Sequence, residues 1–314
     1  MSETEQRATL TVALMAALAD GTNDASERDA LERLVGRMSA TATGTGLDVA
    51  AIYQDVLVRK PDLAEVVVPL VTPQARQLAY ELAVGVAHAD GATSPVEAAF
   101  LGRLAAALGL PAPAAQSYAQ SANALATVPL AVAAPSPATR ATPDAAALDQ
   151  QILNAAITNA ALELLPESLA SMAIIPLQMK LVYRLGQAYG YELDGSSVKD
   201  FVATLGVGLT AQYVEQFGRK LLGGLLGSIA GGIGRSIGHQ AASSGMAFAS
   251  TWALGQIARQ YYAGGRTLDA EKLRAAFAPM LDQARELGTR YAGEIQQRAR
   301  TIDLSNLPAL IGKA

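Results

Sequence analysis

The sequence predicts an all-α protein in two helical domains, and three observations carry that expectation. Hydrophobic residues make up 51% of the chain but aromatics only 5%, so the apolar content is mostly Ala and Leu, both strong helix formers. Apolar residues recur at helical spacing along most of the chain, while β-branched runs bounded by turn residues, the usual strand signal, are scarce. Between two such regions lies TVPLAVAAPSPATRATP, residues 127–143, with four prolines that remove backbone donors and favour extended chain. With 314 residues, this linker divides domains at 1–126 and 144–267, followed by an amphipathic helix and tail at 268–314.

Taken in order, EQRATLTVALMAALAD, ASERDALERLVGRM, DVAAIYQDVLV, QARQLAYELAVGVAHAD and PVEAAFLGRLAAALGL read as helices separated by Gly, Pro or polar breaks. The region also contains a duplication. LADGTNDASERDALERL, residues 18–34, aligns without a gap to HADGATSPVEAAFLGRL, residues 88–104. Asp24 with Glu27, and Ser94 with Glu97, have the three-residue spacing of capping boxes, in which each partner satisfies a backbone N–H of the other. Pro95 then falls at the first helical position, and Gly21 and Gly91 can close the preceding helices. Capping explains Glu27 and Glu97 without a ligand. It does not explain Asp20 and Asp90, whose carboxylates fall at the negative end of a helix dipole, an arrangement costing about 0.3–1 kcal/mol when exposed. An Arg partner such as Arg33 or Arg103, or a cation, would offset that cost.

These paired motifs, over roughly residues 8–125, resemble the TerB-like fold of tellurite resistance proteins, a helical bundle with internal pseudo-symmetry. The resemblance implies stress physiology and membrane-linked complexes. It also implies that Asp20, Glu27, Asp90 and Glu97 are candidate ligands for Ca²⁺ or Mg²⁺, hard cations that prefer oxygen donors. The Asp-x-Asp-x-Asp-Gly loop of an EF-hand is missing. His88 lies two residues before Asp90, and that spacing places the two on different faces of a helix; its counterpart in the first copy is Leu18, which points to a packed histidine.

The second half begins DQQILNAAITNAALELLPESLASMAIIPLQMKLVYRLGQAYGYEL, with helical periodicity up to Gly190. Next come 14 uncharged residues between Lys220 and Arg235 and 23 between Arg235 and Arg259. Gly223, Gly227 and Gly231 fall every fourth residue, the small-xxx-small pattern of closely approaching helices. Two readings stand side by side. In one, a soluble helical hairpin buries these small residues in its bundle. In the other, the hairpin associates with a membrane, with Trp252, Arg259, Tyr261 and Tyr262 at headgroup level. Either setting allows oligomers through the glycine-rich helices. The last stretch carries Leu273, Phe277, Met280, Ala284, Leu287 and Tyr291 every three or four residues, a stripe that either packs on its own domain, the preferred reading, or pairs with a partner helix, with Pro279 predicting a kink.

LQMKLVYRLGQAYGYEL, GRKLLGGLLGSIAGGIG, TWALGQIARQYYAGG and LDAEKLRAAF, in this order, resemble a YcjF-like domain over roughly 145–278. The resemblance implies an accessory role near a membrane or beside a GTPase. The chain has no G-x-x-x-x-G-K-[ST], so nucleotide hydrolysis would come from a partner in trans.

The remaining features narrow the function classes. A formal charge of -4 weighs against a nucleic-acid binder, which needs Lys and Arg to neutralise phosphates. Without cysteine there are no disulfides, thiolate metal sites or Cys nucleophiles, and with two histidines far apart a zinc hydrolase has little support. The polar start MSETEQRATL is unlike a secretory signal, which points to the cytoplasm or the inner face of the cell membrane. The preferred expectation is a non-enzymatic interaction or scaffold protein in bacterial stress or envelope physiology. The alternative is a divalent-metal sensor or metal-dependent enzyme using the repeated acidic motifs.

Overall fold

The structure, a computed structural model, describes residues 2–19, 32, 35, 47–89, 93–128, 143–165, 168–205, 214, 245–304 and 307–313. All regular structure among them is helical, as the composition predicts. The chain forms two compact units.

The first unit holds α1 (Glu3–Ala17), α2 (Val49–Gln54) running on as a π-helix (Asp55–Arg59), α3 (Leu63–Val66), α4 (Pro73–Ala87), α5 (Pro95–Ala107), α6 (Ala112–Ala126) and the short α8 (Ser168–Met172). Helix α1 starts in a capping box. The Glu5 N–H donates to Ser2 Oγ at 3.2 Å and the Ser2 N–H returns to Glu5 Oε2 at 2.9 Å, satisfying two orphan donors. Glu5 also accepts from the Thr72 hydroxyl at 3.2 Å, and Thr72 in turn caps α4, so the N-termini of α1 and α4 are tied together. Donation from the Ser2 N–H, opposed by burial and aided by Thr72, holds the Glu5 carboxyl below the usual carboxylate range. From that shared start α1 and α4 pack together, and Val12, Leu14 and Ala17 of one and Leu82, Val84 and Ala87 of the other are buried. Helix α6 joins through the Tyr80 hydroxyl, which donates to the Ala115 carbonyl, and α8 through Tyr118 OH against Met172 Sδ at 3.7 Å.

The second unit holds α7 (Ala145–Leu164), α9 (Ile174–Ala188), α10 (Gly195–Thr204), α11 (Gly245–Ala263), α12 (Ala270–Arg290), α13 (Ala292–Thr301) and α14 (Leu307–Lys313). Helix α11 is central and packs against α7, α9 and α12. Close approach is possible because Gly255 faces Ile152: a Cβ there would lie 2.7 Å from Ile152 Cγ2. The predicted stripe on α12 faces its own unit, with Leu273 and Ala284 buried, and the helix continues through Pro279. Helix α9 ends at Gly190, whose φ of 80° lets the Tyr191 N–H return to the Gly186 carbonyl at 3.0 Å.

Polar groups cross this helical core in pairs. Asn159 Nδ2 and Gln178 Nε2 both donate to Thr251 Oγ1, at 2.9 and 3.0 Å, and the Glu163 carboxylate accepts the Ala247 N–H at 2.9 Å. Lys180, the largest fully buried side chain among the described residues, donates from Nζ to the Ile311 carbonyl at 2.6 Å. That carbonyl belongs to the last turn of α14, the negative pole of the helix, which favours a cation. Desolvation, and then the neighbouring Arg184 charge, push the Lys180 ammonium below the ordinary lysine pKa.

Candidate functional site

Of the acidic residues singled out in the duplicated motif, Glu97 is described. It sits at the third position of α5, its N–H on Ser94 Oγ at 3.2 Å and its Oε2 accepting the Ser94 N–H at 2.7 Å. This is the capping box its spacing predicts. Asp20, Glu27 and Asp90 lie outside the described residues, as do Gly223, Gly227 and Gly231. Among the described residues no three His, Asp or Glu side chains are placed to hold a metal ion. His88 follows α4 directly, buried, with Nδ1 2.8 Å from the Val84 carbonyl, the packed histidine that its position implies.

Trp252 lies on α11 in the second unit. It packs against a buried cluster that includes Ala156, Ile157, Ala160 and Phe248. It also lines a broad, open cleft of about 620 Å³ bounded by α7, α11 and α12. Successive helical turns supply its walls: Asp149 and Leu153 from α7, Gln256 and Arg259 from α11, Met280, Gln283 and Leu287 from α12, with Tyr291 just beyond. Asp149 Oδ1 takes two donors, Arg259 Nη1 at 2.6 Å and Gln256 Nε2 at 3.1 Å. The ion pair cancels the charge of this wall. Sequence reading selected Trp252 and Arg259 but not Asp149 or Gln256. Asp149 is more than a hundred positions from its partners, and the local signal is a polar stripe at 256, 259 and 260 on a mainly apolar helix.

The described histidine, His88, has its Nδ1 at the Val84 carbonyl, and in neither unit do three His, Asp or Glu side chains come together among the described residues. Both offer surfaces. Among the described residues of the first unit, the large hydrophobic side chains left exposed are Leu57, Val58, Val68, Val71 and Val96, from the π-helix, the turn after α3 and the first turn of α5. No described helix is long and apolar enough to cross a membrane.

Comparison with known proteins bears on the first unit. The family of tellurite resistance protein TerB matches residues 6–120, from α1 into α6. No curated protein and no solved structure matches the chain significantly. Over residues 6–120 the helical bundle of α1–α6 is therefore similar to the TerB family, which is described as tellurite resistance protein TerB.

Proposed function

We propose that this chain is a non-enzymatic interaction protein of bacterial stress or envelope physiology, which engages a protein partner through its TerB domain. The supporting observation is the distribution of exposed apolar surface: among the described residues, all five exposed large hydrophobics lie between 57 and 96, inside the TerB match. Val58, Val68 and Val71 are the most exposed of them, and large apolar side chains left open to solvent are candidates for a contact surface. The second unit is the YcjF-like module of this reading. It attaches the TerB domain at the inner face of the membrane beside a GTPase that acts in trans, and its glycine-rich helices support self-association.

The test is fractionation of cells followed by washing of the membranes. A peripheral partner complex is stripped by high salt or carbonate, whereas a hairpin embedded through 221–233 stays in the pellet. Val68→Asp with Val71→Asp should leave the helical content intact and abolish co-sedimentation through the partner. A chain that stays wholly in the soluble fraction and does not bind liposomes would end the membrane part of this reading.

One observation favours a second reading, divalent-cation sensing. Helices α1 and α4 start together at Glu5 and Thr72, have the same length and pack on each other; Asp20 and Asp90 follow their last turns at equivalent positions. Four carboxylates from the two copies would suit Ca²⁺ or Mg²⁺. If they bind, millimolar Ca²⁺ or Mg²⁺ should raise the melting temperature of the first unit in the full chain by mass action, and alanine at Asp20 and Asp90 should remove the rise. No shift and no calorimetric heat would leave capping as the sole role of the motif.

A further inference from the structure

The cleft of the second unit has a hydrogen-bonding wall that its own contacts leave half used. Gln256 is only 7% exposed; its Nε2 is engaged on Asp149, and Oε1 has no partner among the described residues. Asp149 directs Oδ1 to both Gln256 and Arg259, which leaves Oδ2 as a second open acceptor. The Arg259 guanidinium uses one N–H on Asp149 and keeps further donors. The cleft therefore presents two acceptors beside a donor, at zero net charge, with the Trp252 indole and the apolar Leu153, Met280 and Leu287 around them.

Charge and polarity narrow the occupant. A simple anion would compete with Asp149 for Arg259, and a simple cation would compete with Arg259 for Asp149. A purely aliphatic molecule would strip water from Gln256 and Asp149 without replacing its hydrogen bonds, which is costly. A planar heterocycle with donors and acceptors on its edge meets each demand, and aromatic side chains stack on such rings. Guanine fits the pattern well, since Arg commonly reads its O6 and N7 and a carboxylate can accept from its N1–H and amino group. The cleft volume is within the range of small-molecule sites.

We propose that the cleft between α7, α11 and α12 binds a guanine-type purine base, with the ring against Trp252, Asp149 and Gln256 accepting from its edge and Arg259 donating to it. This goes beyond the interaction-protein reading and does not depend on it.

Trp252 is the single tryptophan of the chain, so its fluorescence reports on the cleft directly. The full-length protein is titrated with guanosine, GMP, adenosine and uridine, with calorimetry as an independent measure. Guanosine or GMP should change the emission saturably, adenosine and uridine at least tenfold more weakly. Equal binding of guanosine and GMP assigns the nucleoside as ligand, and tighter binding of GMP assigns the nucleotide; both support the base site. Asp149→Asn keeps the shape but turns an acceptor into a donor. It should weaken guanosine about tenfold and move the preference towards xanthosine, whose second carbonyl can accept from the new amide. A merely structural Asp149 would not produce that switch. Gln256→Met, similar in size and without the acceptor, should weaken guanosine at unchanged helical content, and serves if Asp149→Asn does not fold. Absence of saturable binding by guanosine and GMP at millimolar concentration, or an unchanged guanosine affinity in folded Asp149→Asn and Gln256→Met, overturns the proposal.

Discussion

Gly255 and Lys180 decide the packing of the second unit at the level of single residues. At Gly255 the nearest side-chain atoms to an added Cβ are Ile152 Cγ2 at 2.7 Å and Cγ1 at 2.9 Å, with Leu181 Cδ2 at 3.2 Å, so even a methyl group must displace α7 or α9. Gly255→Ala should destabilise the unit by about 1–3 kcal/mol despite the better helix propensity of Ala. Differential scanning calorimetry should register it as a fall of roughly 3–10 °C in one transition. Lys180 gives a pH signature. Its folded pKa is depressed, so the penalty for a buried ammonium is present at neutral pH and is relieved as pH rises towards the ordinary lysine value of 10.5, because the unfolded chain then binds more protons than the folded one. Urea midpoints of wild type minus those of Lys180→Met should therefore increase with pH below 10.5. A difference that is flat or falls would show that Lys180 is not desolvated in the fold.

At the level of the element, helix ends explain more of this chain than helix middles do. Ser94 supplies one side of the box that starts α5 and Glu97 the other, with Pro95 at the first helical position. Ser94→Ala should cost about 0.5–2 kcal/mol, seen as an earlier unfolding transition of the first unit, whereas Ser94→Asp should retain most of the stability because a carboxylate also caps. The box at Ser94 was legible because residue type and spacing are both local. The equivalent pair at Ser2 and Glu5 has the same local form, yet its main consequence is not local, since Glu5 is buried by Thr72 and links α1 to α4 across 67 positions. Helix α12 shows the converse. Its apolar stripe was read correctly as core-facing, because a 3.6-residue period fixes which residues share a face whatever they pack against.

For the whole molecule, the composition of residues 127–143 makes a prediction. Chain that lacks helix-forming character and holds four prolines should be cut first in limited proteolysis, leaving protected fragments on either side of 127–143. Mass spectrometry of the early fragments checks this; a first cut elsewhere, with 127–143 resistant, would show that the segment is held against the fold. The second unit should keep its Trp252 emission and its helical signal after that cut, since Trp252 is packed by residues of α7 and α11 that lie C-terminal to it.

The sequence by itself determined the all-α class, the faces of the helices, the capping at Ser94 and Glu97, and the TerB likeness of the first unit, because all of these depend on residue type at short, fixed spacings. Tertiary structure alone decided that Glu5 meets Thr72, that Lys180 is buried against the end of α14, and that Asp149, Gln256 and Arg259 share one wall of a cleft with Trp252. Each of these pairings joins residues from 67 to 131 positions apart. Helical periodicity specifies which way a side chain faces along its own axis, but not which helix lies opposite. That choice is made when whole apolar faces compete for burial, and the polar partners are carried with them.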